Sequence, residues 1–319
     1  MVRYLSEADI RAVLTMPIAI DRVEQAFVDR AHGRAFDIPR RRTRQPGGHL
    51  HILQGAAPEI NTIGFKAYYL RPDRSRTFLV HLIDHAQGNL EAMLEGDWMG
   101  QMRTGAATGV AARYLAREDA AVVGLFGSGR HAVTQLEAVC AVRRITEVKV
   151  FGRNAERVRR FCDEMAPKVN TLVRPAGSRE ETVRGSDIIV TMTRSEEPLF
   201  DGALLEPGQF IAATGANALN RREIDLTAVR RCDVITVDSV EVAMGECGDL
   251  LAGVEAGIIY WENLPTLGDV IVGRHPGRTA ADQITLYESH GMALQDLYTG
   301  RRVLELARER GLGIELPLG

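Results

Sequence analysis

A glycine-rich turn between a strand-like run and a helix-like segment is the first candidate for chemistry. The apolar run from Ala121 ends in Gly127-Ser-Gly129, and helical apolar spacing follows over Val133–Val142. Glycine at 127 suits a tight turn, glycine at 129 lets the backbone approach a pyrophosphate, and a helix N-terminus faces negative charge favourably. A second strand-like run, Glu147–Phe151, lies at the spacing of a βαβ unit. The pattern predicts a dinucleotide site; the alternative is a turn without a ligand.

The residue after the second strand bears on the choice between the two nicotinamide cofactors. NAD sites usually carry Asp or Glu there for the ribose 2′-hydroxyl, whereas Arg accommodates a 2′-phosphate. Here Phe151 and Gly152 are followed by Arg153 and Asn154. Arg153 therefore favours NADPH, while stacking on adenine or simple exposure to solvent are the alternatives.

Several lysine and arginine side chains could bind the carboxylate of a small substrate or transfer a proton to it. Lys66 interrupts an apolar run, so it lies either at a solvated edge or in a pocket, where desolvation lowers the pKa of a lysine and makes proton transfer feasible. Arg103 and the run Arg40-Arg41-Arg42 are surface charges by default, although guanidinium groups clamp carboxylates well.

No metal site is expected. His49 and His51 share a strand face but lack a nearby carboxylate or cysteine in sequence, and the four cysteines are far apart with no C-x-x-C pair. Cysteines of this kind are typical of buried residues in a reducing cytoplasm. The sequence also lacks nucleophile-elbow, phosphate-loop and H-E-x-x-H motifs, which removes support for hydrolases and kinases.

The first part of the chain predicts two helices and an antiparallel sheet. The helices are expected from Ser6 to about Leu14 and over 18–31, with an N-cap at Ser6. Four strand-like runs are separated by turns such as Arg71-Pro72-Asp73; they cover 49–53, 62–70, 77–84 and 89–94. Because the connections are short, the strands should pair antiparallel.

From residue 98 onward, the pattern changes to alternating helix and strand. A helix is expected over 98–115, and the strand-like runs that follow cover 121–126, 147–151, 169–174, 187–191, 209–213 and 234–238. This alternation predicts a doubly wound parallel sheet, and 286–310 reads as one long helix. We therefore expect an α/β fold with a Rossmann domain over 116–294. A smaller α+β domain would cover 1–115 and be joined by a C-terminal helix over about 295–319.

The composition and charge of the chain limit its possible partners. The 319 residues carry a net charge of −3, so no basic surface for nucleic acid is indicated. The first residues lack the apolar core of a signal peptide, and no apolar run approaches 18 residues. We expect a soluble cytoplasmic protein with a small-molecule substrate and neither nucleic-acid nor membrane partners.

An ordered set of short motifs resembles the ornithine cyclodeaminase/μ-crystallin family. These motifs are Gly64-Phe-Lys66-Ala, Met102-Arg103-Thr-Gly-Ala-Ala-Thr108, Gly127-Ser-Gly129, Gly215-Ala-Asn217, Arg222-Glu223-Ile-Asp225, Val237-Asp238-Ser239, Glu246-Cys-Gly248-Asp249 and Ser289-His-Gly291-Met-Ala-Leu-Gln-Asp296. Together they extend over nearly the whole chain, in order.

The resemblance implies a homodimer whose N-terminal sheets pack together, with the active site in a cleft between domains. It implies that Lys66 and Arg103 line the substrate pocket. A further arginine follows a proline early in the chain; Arg41 is the match we take, and Arg40 or Arg42 are the alternatives. His51 stands where the cyclodeaminases have an acidic residue.

One departure from the cyclodeaminases concerns the catalytic acid/base. They carry an aspartate six residues before the glutamate that is Glu223 here, and this chain has Asn217. Because an amide cannot take up a proton near neutral pH, the deamination and ring closure of ornithine would lack its base. The μ-crystallin branch resembles imine reductases and also lacks that acid.

The expected activity is therefore NAD(P)H-dependent reduction of α-imino acids to α-amino acids, with NADPH favoured. Lys66, Arg103 and Arg41 are the expected catalytic residues, and the substrate-binding set adds His51, Asn217 and Gly291. The expected cofactor-binding residues are Thr108, Gly127, Ser128, Gly129, Arg130, Arg153, Asn154, Thr191, Met192, Thr193, Gly215, Asp238 and Ser239. The alternatives are an ornithine cyclodeaminase that recycles NAD⁺, and a crystallin-like protein that binds NADPH or another ligand without turnover. The substrate side chain stays open between cyclic, linear and dicarboxylic imino acids, and so does the physiological direction.

Overall fold

The chain folds into two compact units. A computed structural model describes residues 1–71, 73 and 76–317. One unit comprises Met1–Thr104 with Gly291–Gly319, and the other comprises Gly105–His290. The sequence placed these boundaries after residues 115 and 294. Pro72 of the predicted turn and residues 318–319 of the predicted C-terminal helix lie outside the described residues.

The first unit is a seven-stranded sheet with helices. Its strands are β1 (Val2–Leu5), β2 (Phe36–Gln45), β3 (Gly48–Ala57), β4 (Thr62–Leu70), β5 (Arg76–Asp84), β6 (Leu90–Glu95) and β14 (Ile314–Leu316). Its helices are α1 (Glu7–Val13), α2 (Met16–Ala31), the start of α3 (Asp97–Leu115) and α11 (Ala293–Glu309), with a 3-10 turn at Pro58–Ile60. The strand order is β14-β1-β6-β5-β4-β3-β2. Neighbours pair antiparallel except for β1 and β6, which are parallel, so the sheet is mixed.

Local sequence accounts for several of these elements. The predicted N-cap is confirmed, because the Ser6 hydroxyl accepts from the backbone N–H of Asp9 and the Asp9 carboxylate accepts from that of Ser6. Strand β2 was not predicted, since its arginine-rich sequence includes Pro39. It lies at the edge of the sheet, with a register shift between Ile38 and Arg41, which is where proline is tolerated in a strand.

Helix α11 packs on the sheet face that carries Lys66. A Cβ added at Gly55 on β3 would meet Leu294 at 3.3 Å, and one added at Gly64 on β4 would meet Leu297 at 3.1 Å. Side chains two residues apart in a strand share a face, so Lys66 projects on the same side as Gly64. Because α11 packs on this face, its first turn lies next to Lys66.

The second unit is a doubly wound sheet. Its strands are β7 (Val122–Phe126), β8 (Glu147–Phe151), β9 (Leu172–Pro175), β10 (Ile188–Thr191), β11 (Phe210–Ala213), β12 (Val234–Val237) and β13 (Thr285–Glu288). Its helices are the rest of α3, α4 (Arg130–Val142), α5 (Ala155–Val169), α6 (Arg179–Val183), α7 (Leu226–Arg231), α8 (Val240–Glu246), α9 (Leu251–Glu255) and α10 (Leu267–Ile271), with 3-10 turns at Gly202–Leu204 and Trp261–Asn263. The order is β12-β13-β11-β10-β7-β8-β9, with every pair parallel. The Rossmann prediction is confirmed.

Two predicted elements were wrong in this unit. Residues 285–288 form a strand inserted between β11 and β12, whereas 286–310 was expected to be one helix; α11 begins after Gly291, whose φ is +81°. The four residues, Thr285-Leu-Tyr-Glu288, are all buried, so the strand shows no alternation that separates it from a helix. The strand expected over 169–174 begins at Leu172, because α5 continues to Val169.

Helix α3 crosses the boundary between the units. A Cβ at Gly105 would lie 2.2 Å from the carbonyl oxygen of Thr134 on α4, so the two backbones are in close contact there. This packing assigns the later part of α3 to the second unit. Among the described residues, no helix is long and apolar enough to span a membrane.

Candidate functional site

The centre of the first unit's candidate site is a buried ion cluster around Asp296. The Lys66 ammonium donates to both carboxylate oxygens of Asp296, at 2.7 and 2.6 Å. The Nε of Arg103 donates to Asp296 Oδ1 at 3.2 Å. Lys66 is 3% exposed and Asp296 is fully buried, so the solvated-edge interpretation of Lys66 is wrong.

The environment of Lys66 favours loss of its proton. The pKa of Lys66 is lowered to about 7; burial is the main cause, the Arg103 charge acts in the same direction, and Asp296 acts in the opposite direction. A lysine in this range can exist in either protonation state near neutral pH. It can therefore hold or transfer a proton under physiological conditions.

Arg103 is held by the same helix turn. Its Nη1 donates to the side-chain oxygen of Gln295 at 2.8 Å. A Cβ at Gly291 would lie 2.5 Å from this Nη1, so Gly291 leaves the space in which the guanidinium sits. Asp296 and Gln295 were quoted in the sequence motif without a role, and their distance from Lys66 and Arg103 along the chain concealed the contact.

The structure does not bring Arg41 to this cluster. Arg41 pairs with Ile52 and Lys66 pairs with Leu53, so Arg41 and Lys66 project from opposite faces of the sheet. Arg41 is exposed, whereas the neighbouring Arg40 is half-buried and its charge contributes to the lowered pKa of Lys66. Of the two alternatives, Arg40 acts on Lys66 and Arg42 pairs with His51 on the same face, so which arginine matches the family stays a prediction. The register shift after Ile38 determines which face of the sheet each arginine side chain occupies. The sequence gives no sign of this shift.

His51 is a neutral side chain beside these arginines. It is 7% exposed and stacks on Tyr68 with ring centroids 4.5 Å apart. Burial lowers the pKa of His51 to about 3, with the charges of Arg40 and Arg42 acting in the same direction. At neutral pH this imidazole has no charge with which to attract or repel an ion.

In the second unit, the glycine-rich turn has the geometry that a dinucleotide requires. Gly127 has φ +113°, and an added Cβ would lie 2.5 Å from the carbonyl oxygen of Met192. Gly129 is the N-cap of α4, and within 4 Å a Cβ there would meet only Arg157 of the described residues, at 3.7 Å. The backbone at Gly129 is thus open to a ligand, and the helix N-terminus behind it favours an anion. Ser128 belongs to the same turn, and Arg130 is exposed at the start of α4.

A cluster of arginines stands at the end of β8. Arg153 is exposed, and the Asn154 side chain caps α5 by accepting from the backbone N–H of Arg157. The Nε of Arg157 donates to the carbonyl oxygen of Ser128 at 3.1 Å. Sequence analysis missed Arg157, which lies beyond the position that usually reads the ribose.

Glu223 organises the residues predicted to face the nicotinamide. It is fully buried and accepts hydrogen bonds from the hydroxyls of Thr191 and Thr193 at 2.8 and 2.6 Å. It also accepts from the backbone N–H of Thr193 and of Gly215, at 2.7 and 2.8 Å. Burial raises the pKa of Glu223, and these hydrogen bonds oppose the rise. The ends of β10 and β11 are fixed by this side chain.

The remaining predicted cofactor residues divide into two groups. Thr108 on α3 is fully buried, and its hydroxyl has no hydrogen-bond partner among the described residues. Asp238 accepts from the Tyr287 and Ser289 hydroxyls and from the His290 backbone, while Ser239 caps α8. Asp238 and Ser239 therefore serve the local fold, and a contact with cofactor stays a prediction for both.

Asn217 follows β11 and is half-buried. Its side-chain oxygen accepts from Nη1 of Arg221 at 3.4 Å. The amide stands where the cyclodeaminases have their aspartate, so the second unit offers no carboxylate at this position.

The second unit contains two further buried acids, Asp249 and Glu288. Oδ1 of Asp249 accepts from the backbone N–H groups of Glu223 and Ile224 at 2.5 and 2.8 Å. Burial, followed by the charge of Glu223, raises the pKa of Asp249 to about 7. Burial also raises the pKa of Glu288 well above its ordinary value, with Asp249 adding to the effect.

Glu288 also belongs to a set of possible metal ligands. In the described part of the chain, Cys247, Glu288 and His290 bring ligand atoms within 4.8 Å of one another. Burial strongly raises the pKa values of Cys247 and Glu288. Binding of a metal would have to displace the protons from both groups.

These features define the class: an α/β protein whose second unit is a Rossmann fold with a glycine-rich turn, and whose first unit carries a buried ion cluster of Lys66, Arg103 and Asp296. A sequence profile of the ornithine cyclodeaminase/mu-crystallin family matches residues 2–311. The chain belongs to this family, and the resemblance seen in the sequence is confirmed.

Relatives in the family act on the carbon–nitrogen bonds of amino and imino acids. A Delta(1)-pyrroline-2-carboxylate reductase of Bacillus cereus is 31% identical over 269 residues, which is 82% of each chain. The structure of the Thermococcus litoralis Delta(1)-pyrroline-2-carboxylate reductase with NADH and L-proline has a TM-score of 0.94 at 30% identity and covers 99% of this chain and 100% of its own. An archaeal alanine dehydrogenase dimer with bound NAD has a TM-score of 0.93 at 28% identity and covers 100% of this chain and 99% of its own.

Proposed function

We propose that this protein is an NAD(P)H-dependent reductase of α-imino acids, forming an α-amino acid. The observation that carries the proposal is the buried cluster of Lys66, Arg103 and Asp296 in a chain that also has a dinucleotide-binding turn. Such a cluster combines a guanidinium group that can bind a carboxylate with an ammonium group that can donate a proton. The named activities of the relatives support the same reaction class.

The guanidinium groups would hold the α-carboxylate of the substrate. The hydrogen bonds of Arg103 to Asp296 and Gln295 use two of its five N–H donors, which leaves others for a ligand. Arg40 would be the second clamp in place of Arg41, because it lies on the face of Lys66. Gly291 would contribute by leaving room for the Arg103 side chain.

The proton and the hydride would have different sources. When bound, the nicotinamide supplies a hydride to the imine carbon. Lys66 has three N–H donors, of which two bond to Asp296, so the third could reach the imine nitrogen or the carboxylate. In the protonated form Lys66 would supply the proton that completes the amine.

The cofactor would be held by the glycine-rich turn and its neighbours. Gly127, Ser128, Gly129 and Arg130 would bind the pyrophosphate, and Thr191, Met192, Thr193 and Gly215 would stand on the nicotinamide side, with Thr108, Asp238 and Ser239 as further contacts. We propose a preference for NADPH, because the end of β8 presents Arg153 and Arg157 instead of an acidic residue. Asn154 would help mainly by capping α5 and so fixing Arg157.

Two observations weigh against ornithine cyclodeamination. Asn217 cannot act as an acid/base near neutral pH. His51 is uncharged and its neighbours are Arg40 and Arg42, which is a poor environment for the second ammonium group of a diamino acid. His51 and Asn217 would instead select the imino acid. A binder without turnover would have no need for a lysine whose pKa is lowered to about 7.

We also propose a homodimer in the cytoplasm. Phe36, Ile38, Leu50 and Ile63 are exposed apolar residues on the sheet face opposite Lys66, as their register with β3 and β4 requires. A row of exposed apolar side chains favours association with a second copy. The four cysteines carry free thiols, as expected in a reducing compartment. Light scattering after size exclusion would give the mass of the assembly.

The test is oxidation of NADPH and NADH by purified protein with a panel of imines. The panel contains pyrroline and piperideine carboxylates, and pyruvate, glyoxylate or oxaloacetate with ammonia or methylamine. We expect rapid oxidation with at least one imine, faster with NADPH. Proline formation from ornithine with NAD⁺ alone, and no oxidation across the panel, would support the cyclodeaminase instead.

A further inference from the structure

The ion pair between Lys66 and Asp296 has a consequence for how the site handles protons. Asp296 lies in the first turn of α11 and contacts Lys66 with both carboxylate oxygens, at 2.7 and 2.6 Å. Both side chains are buried, at 3% and 1% exposure. Water does not screen this contact, so the two charges determine each other's state.

We propose that Asp296 is a positioning residue that keeps Lys66 protonated and oriented, so that Lys66 can serve as the proton donor in the reduction. The second half of this proposal rests on the proposed function; the first half concerns the charge on Lys66 alone. In the reaction, the N–H bond of Lys66 would break as a proton passes to the imine nitrogen. A bound nicotinamide would supply the hydride for the new C–H bond, and solvent would reprotonate the lysine.

The titratable groups that face Lys66 come from four elements. Asp296 on α11 is the anion, while Arg103 on α3 and Arg40 on β2 are cations that disfavour the protonated lysine. His51 on the neighbouring strand β3 is neutral at pH 7. Two cations and burial are thus opposed by one carboxylate, and the protonated state of Lys66 depends on Asp296.

The contact of Arg103 with the same carboxylate adds a positioning role. Asp296 Oδ1 accepts from both Lys66 and Nε of Arg103, which fixes the ammonium and the guanidinium relative to each other. A neutral amide at this position would keep the shape of the side chain but would not hold two cations together. Loss of the charge should therefore affect turnover more strongly than cofactor binding.

The sequence makes the charge on Lys66 directly measurable. The chain contains three lysines, Lys66, Lys149 and Lys168. Protein labelled with ¹³C at the lysine Cε should give three signals, and the variant Lys66→Arg assigns one of them to Lys66. The chemical shift of that signal against pH reports its pKa without any substrate.

The variant Asp296→Asn should lower the pKa of Lys66 by about 1 to 3 units, the usual effect of a nearby opposite charge. In the native protein we expect titration near 7. Asp296→Glu keeps the carboxylate and should leave the titration close to native. Asp29→Asn is the matched control, because Asp29 is a buried aspartate of the same unit whose partners include Arg34 and Tyr298 instead of Lys66.

With an active imine, the basic limb of kcat/KM should move to lower pH in Asp296→Asn by the same shift as the Lys66 signal. The dissociation constant of NADPH should stay within about 2-fold. Should Asp296→Asn fail to fold, Asp296→Ser replaces it, since it removes the charge and leaves room for a water molecule.

An unchanged Lys66 titration in the charge-removing variant would overturn the proposal. It would also be overturned if the lysine signal shifted while the basic limb stayed in place, since Lys66 would then not be the donor. If no imine is reduced by the native protein, the proposed function fails, while the lysine titration still decides whether Asp296 maintains the charge.

Discussion

Arg40 and Arg41 are adjacent on β2 but project from opposite faces of the first unit's sheet. Arg41 is exposed and pairs with Ile52, whereas the charge of Arg40 acts on both Lys66 and His51. We therefore predict that Arg40→Gln impairs catalysis and that Arg41→Gln has little effect. The two variants remove the same charge from neighbouring positions, so each is the control for the other.

The size of the effect follows from the interaction that is lost. A hydrogen bond to a charged group contributes about 1.5–3 kcal/mol. If Arg40 holds the substrate carboxylate in the transition state, kcat/KM should fall roughly 10- to 200-fold. Removing Arg40 also takes a positive charge away from Lys66, so the pKa of Lys66 should rise and the basic limb of activity should move to higher pH.

The assay is kcat/KM against pH with the best imine of the panel at saturating NADPH. Cofactor binding to each variant is measured by fluorescence, and assembly is measured by size exclusion, because Arg41 lies on the proposed dimer face. The reasoning is refuted if Arg41→Gln loses activity as an intact dimer while Arg40→Gln stays within about 3-fold of native.

Further substitutions test other parts of the account. Arg157→Gln should raise the KM for NADPH roughly 10-fold, because one charge-assisted contact to the 2′-phosphate is lost. The KM for NADH should stay nearly unchanged. Equal effects on both KM values would contradict the assignment of Arg157 to the 2′-phosphate. Gly127→Ala should weaken binding of both cofactors, because φ is +113° and the new Cβ would lie 2.5 Å from a carbonyl oxygen; native-like affinity in a fluorescence titration would count against a close turn. The raised pKa of Asp249, about 7, means that its stabilising contribution is present at low pH and is lost as the pH rises through 7. Asp249→Asn should therefore reduce the fall in unfolding free energy between pH 5 and pH 8 by up to about 3 kcal/mol if the carboxyl titrates alone, because about two pH units lie between pH 5 and its folded-state pKa; chemical denaturation at both pH values measures this fall, and an unchanged fall would contradict the buried-acid assignment.

The long and periodic elements of the fold could be predicted from the sequence. Helix 97–115 and the strands that flank the glycine-rich turn were expected within one or two residues of where they lie. Strand β13 was not predicted, because its four residues, Thr285 to Glu288, are all buried and show no alternation. Strand β2 was not predicted, because its arginine-rich sequence with Pro39 contains no strand-like apolar run. Both strands are identified by what they pair with, which is tertiary information.

Some residues of the candidate site could likewise be found from the sequence, and others only from the tertiary structure. The local signals, Gly127, Gly129 and Lys66, could be found because the chemistry lies within a few residues. The partners of Lys66 could not, since Asp296 is 230 residues away in the chain and is brought to the sheet by the packing of α11. The choice between Arg40 and Arg41 depended on a register shift, which no local pattern reveals.

Transfer of deuteride from cofactor to product would test the central claim most directly. The protein is incubated with 4-deuterated NADPH and each imine of the panel, and the amino acid product is analysed by mass spectrometry and NMR. We predict one deuterium at the α-carbon of a single amino acid product. Product without deuterium, or no product with any imine under conditions in which NADPH binds, would contradict the assignment as an α-imino acid reductase.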